Sequence, residues 1–161
     1  MINVYDNVIS KEKNDEWYHS ILYKGNYNYG ESDRPGMPPT GMTLEIKNAE
    51  RINELSDIAF KYHPELNDLK FLRAYVNLFF PHDRPAFHPD LNCYTCLFYI
   101  TPEYDMQEGG ETQFLKNDEY DFVGVFPKPG RLIVFDGDIY HRATSYRNNP
   151  RITIALKFIK P

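Results

Sequence analysis

The feature that most constrains the fold is a series of short β-rich runs that fills the chain after Leu69. Each run is rich in β-branched and aromatic residues, and turn-forming residues separate it from the next. Many short strands at such even spacing are typical of a double-sheet jelly roll or a small barrel. The predicted strands span residues 70–80, 84–90, 92–101, 111–115, 120–126, 131–135, 142–146 and 151–159.

Two amphipathic helices are predicted ahead of this β region. Ser10 is a suitable N-cap for a helix over residues 11–23, and Asn48 for a second helix over residues 49–62. The second helix is expected to stop near His63, because the residue before a proline is pushed out of the helical conformation. Both helices are expected to cover one outer face of a sheet.

The helices and strands form one predicted domain over residues 1–161, with a helical layer at about 10–62 and a jelly-roll core at about 70–159. A chain of this length buries a core without disulfides or a structural metal. The expected fold class is mainly β: a double-stranded β-helix, or cupin-like jelly roll, with N-terminal helices packed on one sheet. Residues 25–42 are rich in Gly and Pro and are predicted to be a loop.

Composition and charge exclude several classes of function. A hydrophobic fraction of 42%, with 13 Tyr and 11 Phe, indicates a packed interior. The net charge of −5 and the absence of a Lys/Arg block argue against nucleic acid as a partner. No apolar run approaches the roughly 20 residues that span a bilayer, and residues 1–10 do not resemble a signal peptide. We therefore expect a cytoplasmic protein with no membrane partner.

Three residues have the types and spacing of a metal site. His88 and Asp90 lie two residues apart in a predicted strand, so their side chains share a face. His141 follows a later apolar strand and an acidic Gly turn, and would supply a second imidazole. Two histidine nitrogens and one carboxylate oxygen hold Fe(II) while leaving other positions open. The sequence predicts His88, Asp90 and His141 as metal ligands and catalytic residues.

A second motif of the same spacing, His63-Pro64-Glu65, shows how easily this pattern arises by chance. It follows the second predicted helix, in a segment that we expect to be a solvated turn. We therefore expect His63 to be an ordinary surface histidine.

Cys93 and Cys96 form a Cys-x-x-Cys motif, which occurs in redox pairs and zinc sites. They lie in a predicted buried strand, where residues three apart face opposite sides, and there is no second cysteine pair. Two buried thiols are the expected outcome.

The last predicted strand separates its side chains cleanly into two faces. Arg151, Thr153, Ala155 and Lys157 share one face, and the opposite face is wholly apolar. A face that is polar at both ends is expected for a strand lining a ligand cavity. A buried arginine needs an anion, and its planar guanidinium can bind both oxygens of a carboxylate. The alternative role of Arg151 is a surface salt bridge.

Taken together, these motifs resemble the Fe(II)- and 2-oxoglutarate-dependent dioxygenases, especially their prolyl 4-hydroxylase-like branch, over about residues 70–159. His88-Pro89-Asp90 and His141 match the family's ligand motif, and Arg151 lies at its basic position. Three further segments resemble family segments: Thr95 to Tyr99, the Gly-Gly-Glu-Thr turn at 109–112, and the Arg-x-x-x-Asn pattern at 73–77.

The resemblance implies roles for further site residues. Arg151 and Tyr99 would hold the distal carboxylate of 2-oxoglutarate. Leu78 stands where the family often has a tyrosine, so Tyr75 becomes the substitute candidate for binding this cosubstrate.

The resemblance also implies the reaction. Fe(II), 2-oxoglutarate and O2 would be used to hydroxylate a substrate with release of succinate and CO2, and a need for ascorbate is left open. A peptidyl proline is the expected substrate, with another amino-acid side chain of a peptide or protein, or a small metabolite, as the alternative. A non-catalytic metal- or sugar-binding jelly roll and a zinc hydrolase are the other functions left open. Fe(II)-dependent conversion of 2-oxoglutarate to succinate would distinguish an oxygenase from both.

Two features bear on the substrate. Lys157 falls where prolyl hydroxylases commonly place an aromatic or another pocket-lining group, and a cation there would favour an acidic or polar substrate. Its alternative role is a lysine that extends out of the barrel end into solvent. Residues 25–42 are a candidate substrate lid, with an ordinary surface loop as the alternative.

Overall fold

The computed structural model describes residues 1–116 and 120–161. Its strands are β1 (Ile2–Tyr5), β2 (Met42–Glu45), β3 (Lys70–Phe79), β4 (Cys93–Tyr99), β5 (Thr112–Leu115), β6 (Phe122–Val125), β7 (Arg131–Asp136), β8 (His141–Ala143) and β9 (Arg151–Ile159). Its helices are α1 (Lys11–Lys24) and α2 (Ala49–Tyr62), with short 3-10 turns at Pro64–Leu66 and Met106–Glu108. The predicted mainly β fold with two N-terminal helices is confirmed.

The strands form two antiparallel sheets. The larger has six strands in the order β1-β7-β4-β9-β3-β2, and the smaller has three in the order β6-β5-β8. Neighbouring strands in the larger sheet are often far apart in sequence, as in a jelly roll. Strand β9 lies near its centre, paired with β3 on one side and β4 on the other.

Both helices begin at the predicted residues because their caps satisfy free backbone N–H groups. The Ser10 hydroxyl accepts a hydrogen bond from Lys13 N, and the Asn48 side chain accepts one from Arg51 N. The helices bury Trp17, Leu55 and Ala59 against the large sheet. This packing confirms that they cover one sheet face.

The two faces of the large sheet have different partners. The helix-covered face contributes alternate residues of the central strands to one core, among them Ile152, Ile154, Leu156 and Phe158 of β9. The opposite face packs on the small sheet through a second cluster formed by Tyr75, Leu97, Tyr99, Ile133, Phe135 and Ala155 with Phe114 and Val125. The predicted division of β9 into an apolar face and a cavity face is therefore confirmed.

The structure corrects the strand predictions at three places. Residues 84–90 form no strand apart from one bridge between His88 and His141, since prolines in this segment remove ladder hydrogen bonds. The run predicted at 142–146 is the shorter β8, which begins at His141. Strand β2, at the end of the predicted loop, was not predicted from the sequence, and it forms because it pairs with β3.

Two side-chain predictions have different outcomes. The expectation for His63 was wrong: its side chain is only 15% exposed, and its Nδ1 lies 2.9 Å from the Tyr5 hydroxyl. Cys93 and Cys96 are both buried and free, as expected.

In the described residues, no helix is long and apolar enough to cross a membrane.

Candidate functional site

The structure brings together the three predicted metal ligands. Each of His88, Asp90 and His141 offers one ligand atom, and these atoms all lie within 4.8 Å of one another. His88 and His141 exchange two backbone hydrogen bonds of 3.0 Å, and Asp90 N donates to Gly137 O at 2.7 Å. The bridge therefore holds the loop before β4 beside the start of β8, which places both ligand-bearing segments at one point.

The hydrogen bonds of the two imidazoles leave one nitrogen of each free for a metal. Nδ1 of His88 lies 3.0 Å from Ala86 O, and Nδ1 of His141 lies 2.8 Å from Ile139 O. A carbonyl oxygen can only accept, so Nδ1 must carry the proton in each ring. The lone pair is then on Nε2, which faces Asp90 in both residues. Two imidazole Nε2 atoms and one carboxylate are a donor set suited to Fe(II).

Asp90 is held on both of its oxygens. The Thr95 hydroxyl donates to Oδ2 at 2.5 Å, and Lys157 Nζ donates to Oδ1 at 2.6 Å. Burial raises the pKa of Asp90, but His141, which is charged only in the acidic range where Asp90 titrates, the charge of Lys157 and these hydrogen bonds outweigh burial and lower it. The carboxylate is therefore ionised and oriented before any metal binds.

Burial lowers the pKa of His141 to about 4, so its imidazole is neutral near pH 7. In the unfolded chain a histidine takes up a proton near pH 6.5, so between there and about pH 4 the unfolded state of the metal-free protein binds the extra proton. We expect its unfolding free energy to fall over this range as pH decreases, with a slope approaching about 1.4 kcal/mol per pH unit. Urea unfolding of the wild type and of His141→Gln measures this effect. Equal slopes in the two proteins would show that His141 is not its source.

Gly137 is required for the position of Asp90. A Cβ atom at Gly137 would lie 2.9 Å from Asp90 Cβ and 2.7 Å from Cys93 O. Its backbone also accepts from Asp90 N and donates to Cys93 O. We expect Gly137→Ala to displace Asp90 and to weaken Fe(II) binding by about 10-fold or more, as loss of ligand support does at other metal sites. Gly124→Ala is the matched control, because its Cβ would meet only the side chain of Glu111. Equal Fe(II) dissociation constants for the two variants would contradict this role of Gly137.

Arg151 lies at the deep end of the same cavity and is only 1% exposed. Within residues 1–116 and 120–161, its hydrogen-bond partners are neutral and no carboxylate lies within ion-pair distance of it. Its Nε donates to Gly110 O at 2.7 Å, and Nη2 donates to the Thr112 hydroxyl at 3.0 Å. An uncompensated buried cation is costly, so this site is suited to an anionic ligand.

Two threonines beside Arg151 belong to this site, although neither was predicted as a ligand-binding residue. Thr112 joins Arg151 to Tyr99, whose hydroxyl lies 2.6 Å from Thr112 Oγ1. Thr153 lines the cavity next to Arg151, and its buried hydroxyl has no hydrogen-bond partner among the described residues. Tyr99 itself is fully buried behind Thr112 rather than among the residues that line the cavity. An anion bound to Arg151 would also meet the Thr153 hydroxyl.

Tyr75 of β3 and Lys157 of β9 line the same cavity. Lys157 Nζ is 5.3 Å from the centre of the Tyr75 ring, and Arg73 packs on the same ring at 4.2 Å. Burial lowers the pKa of Lys157, but Tyr75 and Asp90 outweigh burial and raise it, so the ammonium stays charged. The Lys157 side chain is 12% exposed. It points to Asp90, not into solvent, so its alternative role was wrong.

The metal-ligand residues, Arg151 and the pair of Tyr75 and Lys157 all line one cavity of about 310 Å³. Its walls come from the cavity face of β3, β4 and β9 and from Thr112 and Ala143 of the small sheet. Glu31, Ser32 and Asp33, within the predicted loop 25–42, line its mouth. Asp33 accepts from Ala86 N at 2.7 Å, which fixes the loop to the segment before His88.

Comparisons with known proteins give a consistent result. The family model of the 2OG-Fe(II) oxygenase superfamily matches residues 72–158, and no curated protein matches the sequence. One similar solved structure is a prolyl-4-hydroxylase from Pseudomonas putida, with a TM-score of 0.74 and 14% identity, covering 99% of this chain and 92% of that one. A prolyl hydroxylase from Trichoplax adhaerens in complex with a hypoxia inducible factor peptide has a TM-score of 0.77 and 18% identity, covering 99% of this chain and 83% of that one. A viral collagen prolyl hydroxylase from Paramecium Bursaria Chlorella virus-1 with 2OG has a TM-score of 0.71 and 13% identity, covering 99% of this chain and 96% of that one.

The matched residues contain the three candidate ligands and Arg151, and they cover more than half of the chain. This match favours an oxygenase over the zinc hydrolase and the non-catalytic jelly roll. The protein uses Fe(II), 2-oxoglutarate and O2, and the donor atoms described above fit the first two of these. The chain belongs to the 2OG-Fe(II) oxygenase superfamily and is a 2-oxoglutarate-dependent oxygenase.

Proposed function

We propose that the chain is a single-domain hydroxylase that acts on a peptidyl proline. In this proposal His88, Asp90 and His141 bind Fe(II), and Arg151 binds the distal carboxylate of 2-oxoglutarate. Thr153 contributes its free hydroxyl to the same carboxylate, while Tyr99 orients Thr112 and Arg151 from behind. Tyr75 lines the cavity near the iron and contacts the cosubstrate.

The uncompensated charge of Arg151 is the observation that carries this proposal. A buried guanidinium whose partners in the described part of the chain are all neutral faces the cavity that also contains two imidazoles and one carboxylate. A keto acid with a carboxylate at its far end satisfies both sites at once. Its distal carboxylate neutralises Arg151 through charge-assisted hydrogen bonds, which are stronger than neutral ones.

Bound Fe(II) and 2-oxoglutarate supply the oxidation of a C–H bond by O2, with formation of succinate and CO2. The residues of the chain bind and orient. The Ala86 and Ile139 carbonyls hold the two imidazoles with Nε2 toward the metal, and Thr95 and Lys157 hold Asp90. The apolar side chains of Leu97, Phe135 and Ala155 line the cavity between its polar ends and exclude water.

The choice of a peptidyl proline is supported by the folds of the similar structures. Three of them are prolyl hydroxylases, and one is in complex with a peptide fragment. In this chain the cavity opens beside Glu31 and Asp33, so a peptide would pass along the loop 25–42, which we propose as its lid. Another amino-acid side chain or a small metabolite is the alternative substrate.

The experiment has two stages. Purified protein is first incubated with Fe(II), 2-oxoglutarate and O2, and succinate is measured with and without the metal. Proline-containing peptides are then added and searched by mass spectrometry for the gain of one oxygen atom. We expect Fe(II)-dependent succinate and an oxygen gain on proline. Succinate without any peptide oxidation would contradict the substrate, and the absence of succinate would contradict the assigned site.

A further inference from the structure

Lys157 is charged and buried next to the candidate iron site, and its position differs from that of the other cavity cations. Arg151 lies at the deep end, and Arg73 at the mouth is paired with two carboxylates, Glu31 at 2.9 Å and Glu45 at 2.8 Å. In the described part of the chain, Lys157 has one carboxylate within ion-pair distance, which is Asp90.

Iron binding changes the charge balance of this pair. Under the proposed function Asp90 is also a ligand of Fe(II), so its single negative charge is shared between a divalent cation and the Lys157 ammonium. Lys157 has three N–H donors; Asp90 Oδ1 accepts from one of them, and the neutral Tyr75 hydroxyl is a further hydrogen-bond partner. The loaded site therefore contains a buried ammonium that lacks a full counterion, which is costly unless another anion binds it.

The distal carboxylate of the cosubstrate cannot supply this counterion if it binds Arg151. Arg151 and Lys157 are six residues apart on β9, which corresponds to about 20 Å along the strand. Their partners on β3 also differ: Arg151 is opposite Phe79, whereas Lys157 is opposite Arg73. Arg73 binds Glu31 of the mouth loop, so Lys157 lies on the side from which a substrate enters.

We propose that Lys157 determines specificity by binding a carboxylate of the substrate close to the carbon that is oxidised. This inference rests on the proposed function. One ammonium matches one negative charge, and the carboxylates of Glu31 and Asp33 at the mouth disfavour a more highly charged group such as a phosphate. The carboxylate belongs either to a free acid or to an acidic residue of a peptide.

The test uses the full chain loaded with Fe(II) and 2-oxoglutarate under argon, so that binding is measured without turnover. Two probe pairs differ only in a carboxylate or an amide: free proline with prolinamide, and acetyl-Pro-Glu-amide with acetyl-Pro-Gln-amide. The first pair represents a free acid and the second an acidic peptide. Calorimetry gives the dissociation constants for the wild type, Lys157→Met, Lys157→Gln and Lys157→Arg. Lys11→Met is a control at an exposed lysine that pairs with Asp15.

We expect the carboxylate member of one pair to bind the wild type at least about 10-fold more tightly than its amide partner. This ratio should fall to within about 2-fold in the Met and Gln variants and persist in Lys157→Arg and Lys11→Met. The neutral variants Lys157→Met and Lys157→Gln differ in polarity. Either variant that still binds Fe(II) can be compared with the wild type.

Three results would overturn the inference: no carboxylate preference in the wild type, the same preference in a neutral variant, or a rise in the Michaelis constant for 2-oxoglutarate as the main effect of losing the charge. The last result would assign Lys157 to the cosubstrate. Succinate formation by the wild type without any probe is measured in parallel. If succinate is absent, the proposed function fails, whereas succinate without a carboxylate preference refutes only the role of Lys157.

Discussion

Replacement of Asp90 by alanine is expected to abolish Fe(II)-dependent succinate formation and to weaken Fe(II) binding by more than about 100-fold, since loss of even an indirect partner of a metal ligand costs 10–100-fold. The change removes the one carboxylate among the three ligand residues. It also leaves the Lys157 ammonium beside the two imidazoles without its counterion, and this positive charge further opposes cation binding.

The matched control is Asp138→Ala. Asp138 lies in the same region of the chain as Gly137, but it is half-exposed and pairs with Lys160. The Asp138→Ala variant should bind Fe(II) with the same affinity as the wild type. Succinate formation by Asp90→Ala at the wild-type rate would show that the ligand set has been misassigned.

Loss of the Arg151 guanidinium is expected to act on the cosubstrate rather than on the metal. Arg151→Ala should raise the apparent Michaelis constant for 2-oxoglutarate by about 100-fold, because charge-assisted hydrogen bonds contribute about 1.5–3 kcal/mol each. Arg151→Lys should give a smaller rise, since it keeps the charge but loses the planar fork. In both variants the Fe(II) dissociation constant should change much less than the Michaelis constant for 2-oxoglutarate.

Arg131→Ala is a suitable control for Arg151. Arg131 begins β7, which is separated from β9 by β4 in the same sheet, and it pairs with Asp6 outside the cavity. Thermal unfolding of each variant separates loss of fold from loss of binding, because Arg151 also supports the Gly110 carbonyl. Wild-type activity of Arg151→Ala at low 2-oxoglutarate concentration would contradict the proposed contact.

Local sequence patterns predicted the parts of the molecule that local physics controls. The period-two alternation of β9 separates Ile152, Ile154 and Leu156, which pack toward the helices, from Thr153 and Ala155, which line the cavity. The caps Ser10 and Asn48 likewise determined where the helices begin. These features depend on neighbours in sequence, so they can be predicted without the tertiary structure.

The sequence could not predict features that depend on distant pairing. Four residues, Met42–Glu45, form a strand only because β3 lies beside them. Asp90 and Lys157 are 67 positions apart, and the register of β4 and β9 places Lys157 opposite Thr95, the other residue that holds Asp90. The alternation of β9 placed Thr153 on the cavity face, but the sequence could not predict that the Thr153 hydroxyl has no partner among the described residues, because that depends on the strands packed around it.

The most direct test of the iron site is anomalous scattering at the iron absorption edge from crystals grown without O2 in the presence of Fe(II) and 2-oxoglutarate. We expect one iron peak within bonding distance of His88 Nε2, His141 Nε2 and one oxygen of Asp90, with the distal carboxylate of the keto acid on Arg151. An iron peak away from these side chains, or side chains too far apart to share one ion, would contradict the account.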